Sequence, residues 1–150
     1  MSSSGRVAVK DSKKVFLDTT PIIYLLDNDK NFGEKTSKIF SALSEQNVKF
    51  VLSFITVAEY LVYPYRMKND SLVKTFWDLV NENKMILYSI GHWEAIKAAK
   101  IRAEYKHFKP MDSLQLATAI LHGCDLFLTN DKQLKQFQEI ECVTVEEWEL

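Results

Sequence analysis

The chain has 150 residues, 47% of them hydrophobic and 26% charged, with four glycines and three prolines, which is the composition of one ordinary globular domain and excludes a fibrous or disordered chain. A net charge of −1 argues against a uniformly basic nucleic-acid binder while leaving room for a local basic patch. No apolar run approaches the roughly 20 residues of a membrane span, and the start, Met1 to Arg6, lacks the apolar core of a signal peptide.

Residues 1–14 are polar and rich in Ser and Lys, so a poorly ordered extension is expected there, followed by a single domain over residues 15–150. Val15–Asp18 reads as a buried strand. Thr19-Thr20-Pro21 then starts a helix, with proline expected at the first helical position, where its missing N–H costs nothing. A second helix over about 33–47 carries Ile39, Phe40 and Leu43 at helical spacing. Phe50–Phe54 is the next strand, and the helix after it, through Tyr60 and Leu61, should kink or end at Pro64. Leu72–Val80 is amphipathic, Met85–Tyr88 is a short strand, and 92–107 is a helix expected to carry Trp93, Ile96 and Ala99 on one stripe. Residues 111–122 are apolar almost all round, which suits a helix buried on most sides. Leu126–Leu128 and Cys142–Val145 complete five strand candidates. Strands separated by helices of this length favour βαβ crossovers and a parallel sheet covered on both faces. Cys124 and Cys142 lie in or beside apolar segments and read as reduced core residues. The cytoplasm is the expected compartment.

Four acids stand out against this frame. Asp18 and Asp131 follow strand ends directly or within a few residues, Glu59 comes shortly after the second strand, and Asp112 opens the apolar helix. In a parallel sheet the carboxyl ends of the strands share one edge, where ligands bind. Each acid alone has a plainer explanation. Thr56-Val57-Ala58-Glu59 fits a capping box, Asp112 and Asp131 fit helix starts, and Asp18 could organise a turn. Capping, however, is served equally by Ser or Thr, and gives no reason for four acids on one edge. Four carboxylates together call for a cation, and Mg²⁺ or Mn²⁺ takes hard oxygen ligands while keeping several waters. Such an ion can activate water and neutralise a phosphodiester. His92, His107 and His122 show no ligand spacing, and there is no glycine-rich phosphate loop.

The segments Phe16-Leu17-Asp18-Thr19-Thr20, Thr56-Val57-Ala58-Glu59, Met111 to Ala119 and Leu128-Thr129-Asn130-Asp131 together resemble the PIN domain, and most closely its VapC-type ribonuclease toxins. The resemblance runs over about residues 15–148. It implies a three-layer α/β/α fold around a five-stranded parallel sheet and cleavage of RNA with Mg²⁺ or Mn²⁺. By motif position Asp18, Glu59, Asp112 and Asp131 become the metal-site acids, and Thr20 and Thr129 the small polar positions that orient carboxylates or water.

Lys97, Lys100, Arg102, Lys106 and Lys109 are candidates to meet RNA phosphates, with a solvated helix face as the alternative. Tyr24, Tyr60 and Phe108 are candidates to stack on splayed bases, or core residues. The stretch from Tyr60 to Trp77 is richer in large apolar residues than one core-facing stripe needs, which suggests a homodimer. Three functions follow: a ribonuclease toxin inhibited by a small antitoxin protein, a housekeeping RNA-processing nuclease without one, or a non-catalytic interaction module whose acids are only caps.

Overall fold

Strands apolar on both faces require cover on both sides, and the chain builds that arrangement. The computed structural model describes residues 12–150. Strands β1 (Lys14–Leu17), β2 (Lys49–Ser53), β3 (Ile86–Tyr88), β4 (Leu126–Thr129) and β5 (Glu141–Thr144) form one all-parallel sheet in the order β3-β2-β1-β4-β5. Helices α1 (Thr19–Leu26) and α2 (Gly33–Glu45) join β1 to β2. Helices α3 (Phe54–Tyr60), α4 (Val62–Arg66) and α5 (Asp70–Glu82) lead on to β3. Helices α6 (His92–Glu104) and α7 (Pro110–Leu121) precede β4, and a 3-10 turn, Lys132–Gln136, precedes β5.

Side chains alternate across the sheet. Val15 and Leu17 of β1 join Leu52, Leu128 and Val143 in one core with Ile22, Ile39, Leu43, Phe76 and Val80. Phe16 points the other way, with Val51, Phe127 and Cys142, into a second core closed by Ala98 and Ile101 of α6 and Leu116, Ala117 and Ala119 of α7. The result is the expected three-layer α/β/α fold with five parallel strands. Both cysteines are free and buried.

The differences from the sequence reading have local causes. Residues 1–11 of the extension expected over 1–14 lie outside the described residues. The backbone amides of Lys13 and Lys14 donate to Asp125 Oδ2 at 2.9 and 3.2 Å, and Lys14 pairs in register with Lys49, so the strand opens one residue before the apolar run. Pro21 is the third helical residue of α1; the first four N–H groups of a helix have no intrahelical partner, so proline is tolerated there as well. Phe54 belongs to helix α3 and not to the strand, because Ser53 Oγ accepts the Ile55 N–H and caps the helix. The helix ends at Tyr60, before Pro64, and the chain restarts as α4. On α6 the stripe of Trp93, Ile96 and Ala99 faces solvent, with Trp93 68% exposed, and Ala98 and Ile101 face the core instead. Alanine spacing on this helix fits either stripe, and packing against α7 selects the narrower one.

Phe127 is fully buried and stacks on Phe16 at a centroid distance of 5.1 Å. Phe127→Ala should therefore cost about 3–5 kcal/mol, whereas Trp93→Ser should cost less than about 0.5 kcal/mol. Urea denaturation of the two variants measures both, and a large loss for Trp93→Ser would place that side chain in the core.

Candidate active site

β1 has β2 on one side and β4 on the other. The connections leaving β1 and β4 therefore diverge, and the sheet opens a crevice at its carboxyl edge. Asp18 stands at that point. Its backbone N–H donates to Leu128 O at 2.9 Å, extending the β1–β4 ladder by one bond. Its carboxylate accepts the Thr19 N–H on Oδ1 at 2.9 Å and the Thr129 hydroxyl on Oδ2 at 2.8 Å. Thr129, the last residue of β4, accepts the Asp131 N–H at 3.1 Å. Asp131 in turn caps the 3-10 turn through Gln133 N–H at 3.0 Å. Asp112 sits in the first turn of α7, whose start is set by Pro110. Glu59 comes from α3 and accepts the Thr19 hydroxyl at 2.6 Å.

All four acids line a single pocket of about 650 Å³, together with Thr20 and Lys109. Burial pushes the Asp18 carboxyl up from 3.8 to about 6; hydrogen bonds from Thr129 and the Thr19 amide pull against it, and Asp112 and Glu59 add to it. Asp112 is raised as well, first by burial and then by Asp131 and Glu59, with Lys109 opposing. Like charges thus perturb one another across the pocket.

The capping explanations divide. Asp18 and Asp131 do cap, which does not prevent either from facing the pocket. Glu59 is not part of a capping box: Ser53 is the N-cap of α3, Thr56 lies inside the helix, and Glu59 reaches toward α1. Thr129 holds a carboxylate directly. Thr20 lines the pocket, while its neighbour Thr19 makes the bond to Glu59. Sequence reasoning gave no site role to Thr19, Ser53, Thr56 or Gln115, all of them buried polar residues beneath the acids. The signal that could have found them was a glutamine flanked by Leu114 and Leu116 on α7.

Other candidates lie elsewhere. His122 pairs with Glu94 at 3.0 Å and stacks on Tyr88, away from the acids. Lys97 is engaged by Glu139 at 2.6 Å, and Arg102 Nε donates to Phe108 O at 3.2 Å. Of the basic run, Lys109 is the member that lines the pocket. Tyr60 and Phe108 are core residues with no face open to a base, and Tyr24 is half-buried with its hydroxyl accepting from Asn130.

Among the described residues, no three or more Asp, Glu, His or Cys side chains are grouped so that they could hold a metal ion between them. The carboxylates and hydroxyls that line the pocket, beside Met111, Ile23 and the Lys109 cation, offer oxygen donors. That set suits a hard divalent ion held by one or two carboxylates and otherwise by water, and does not suit zinc, which prefers nitrogen and sulfur.

The PIN domain model matches residues 15–140, and the chain belongs to the PIN domain family. Comparison with curated proteins gives no significant match. Among solved structures, a toxin–antitoxin complex from Klebsiella pneumoniae aligns at TM-score 0.67 and 22% identity over 87% of this chain and 97% of that one. A VapBC2 complex from Rickettsia felis, bound to a DNA fragment from its promoter, aligns at 0.69 and 15% over 87% and 98%. FitAB bound to a DNA fragment aligns at 0.69 and 18% over 91% and 96%.

The raised Asp18 makes a signed prediction about the metal-free protein. A carboxyl whose folded pKa, about 6, exceeds its unfolded value binds protons more tightly when folded. Its contribution to stability is therefore full below about pH 4 and is lost as pH rises through 6. Asp18→Asn should remove that loss and be more stable than wild type at pH 7, with the gain shrinking toward pH 4. At about 1.4 kcal/mol per pKa unit, the gain is on the order of 1–3 kcal/mol. Urea melts in EDTA at the two pH values check it, and a gain independent of pH would contradict it.

Proposed function

We propose that this PIN domain is a metal-dependent endoribonuclease and the toxin of a toxin–antitoxin pair. The observation that carries the reading is the pocket at the switch point of the sheet, where Asp18, Glu59, Asp112 and Asp131 come from four separate segments to one cavity. Mg²⁺ or Mn²⁺ held there would supply charge neutralisation and a nucleophilic water for phosphodiester hydrolysis. Asp18, kept in place by Thr129 and the Thr19 amide, is the central ligand; Glu59, Asp112 and Asp131 complete the acidic set. Thr20 is the hydroxyl that orients a water at the pocket wall. Lys109 offers a cation at the rim for a phosphate, and the N-terminus of α7 beside it favours an anion.

The toxin assignment draws on neighbours solved as toxin–antitoxin complexes. It also draws on surface chemistry. Val62, Tyr63, Tyr65 and Met67 are all about half or more exposed, and aromatic and methionine side chains of this kind are typical of interface cores. The other half of the apolar stretch, Tyr60, Leu61 and Phe76, is committed to the core. The exposed half is assigned to a two-fold homodimer, with the antitoxin as a further partner. No helix among the described residues is long and apolar enough to cross a membrane. A toxin acting on cellular RNA has the cytoplasm as its compartment.

Asp18→Asn and Asp112→Asn should each abolish Mn²⁺-dependent cleavage of single-stranded RNA with an unchanged circular dichroism spectrum. Millimolar Mn²⁺ should stabilise the wild type by roughly 1–3 kcal/mol and leave both variants unmoved. Wild-type cleavage by either variant would return the acids to capping. Light scattering at micromolar concentration should give a dimer mass that Tyr63→Asp halves; a monomeric wild type would rule the dimer out.

A further inference from the structure

Under the acids runs a chain of buried polar groups, of which Ser53 also caps α3. Ser53, Thr56 and Gln115 are at most 1% exposed, and Thr19 is buried beside them. Gln115 occupies α7 between Leu114 and Leu116, on a face packed toward the β2 end. A leucine there would cost nothing in desolvation, whereas a buried amide is costly unless each of its groups is bonded.

Each bond has a fixed direction. Ser53 Oγ accepts the Ile55 N–H in capping α3, and its own proton goes to Gln115 Oε1. That places Gln115 Nε2 toward Thr56 and Asp18, the only orientation in which a donor rather than an oxygen faces the Asp18 carboxylate. One N–H reaches Thr56 Oγ1 at 3.1 Å and the other lies 3.5 Å from Asp18 Oδ1. Thr56, having accepted, donates to Thr19 Oγ1 at 3.0 Å, and Thr19 donates to Glu59 Oε1 at 2.6 Å. The chain thus runs one way, from Ser53 to Glu59, and Gln115 is its branch point. One arm ends on the acid at the tip of β1 and the other on the acid of α3.

We propose that Gln115 is a positioning residue that sets the separation and orientation of the Asp18 and Glu59 carboxylates, and through them the affinity of the pocket for a divalent cation. The amide touches no substrate. It acts on Asp18 by its own N–H and on Glu59 through the hydroxyls of Thr56 and Thr19. Groups that orient metal-site ligands in this way are typically worth roughly ten- to a hundredfold in metal affinity. The proposal rests on the metal-dependent reading above, and its test separates the two.

The experiment is calorimetric titration of Mn²⁺ into the full chain, with apo melting temperatures measured alongside. Gln115→Leu should bind Mn²⁺ about tenfold or more weakly than wild type. Because that variant strands the Ser53 proton and could fold poorly, Thr56→Val and Thr56→Ser form an independent pair. Valine keeps the shape and removes the hydroxyl that relays to Glu59, so it should weaken Mn²⁺; serine keeps the hydroxyl and should restore wild-type affinity. Wild-type Mn²⁺ affinity in Gln115→Leu and Thr56→Val, with lowered apo melting temperatures, would make the network structural only and overturn the positioning role. A wild-type chain that itself binds no Mn²⁺ would overturn both this role and the metal-dependent nuclease.

Discussion

Asp18 holds its carboxyl group almost wholly out of water at the place where the sheet reverses its strand order. Removing a carboxylate from water costs several kcal/mol unless the protein replaces the lost hydration. Much of the local architecture follows from that cost. The Thr129 hydroxyl, the Thr19 amide and the Gln115 amide each turn a donor toward it. The Asp18 N–H bonds to Leu128 and ties the tip of β1 to β4. Even so, burial and the neighbouring acids win over the hydrogen bonds, and the group stays raised. A site built this way stores repulsion that a bound cation would relieve.

The fold supplies the rest of the geometry by ordinary means. Strands apolar on both faces need two helical layers, and the two cores provide them. The crossover from β3 back past β1 to β4 brings Thr129 and Asp131 beside Asp18, although Thr129 lies 111 residues further along the chain. The proline at the start of α7 places Asp112 in the first turn at the same edge. Acids that also cap their own elements are not thereby diverted from the pocket, because a carboxylate has lone pairs for a backbone N–H and for a further partner.

The surface divides into parts with different chemistry. The half-exposed Val62, Tyr63, Tyr65 and Met67 lie on and just after α4, where the chain restarts after the end of α3. The basic residues of α6 are partly engaged in structure, Lys97 with Glu139 and Arg102 with the Phe108 carbonyl. Lys109 therefore stands apart as the cation of that run at the pocket rim, where it also opposes the rise of Asp112.

The sequence by itself determined the layer architecture, the five strands and the family, because strand length, apolar runs and the ordered acidic motifs are local properties that the chain carries in one dimension. It also determined which acids to watch. Tertiary structure decided what those residues touch. Glu59 fits a capping box by spacing, yet Ser53 takes the N-cap and leaves Glu59 to accept from Thr19 on α1, a partner that spacing along α3 cannot reveal. Trp93, Ile96 and Ala99 are at helical spacing, but only the contact with α7 could turn Ala98 and Ile101 inward instead. Gln115 is one of several polar residues on α7, beside Asp112, Ser113 and Thr118, until folding places Ser53, Thr56 and Asp18 around it. Periodicity is set by bonds along the chain, whereas the partner of a buried polar group is set by which elements the sheet order brings together.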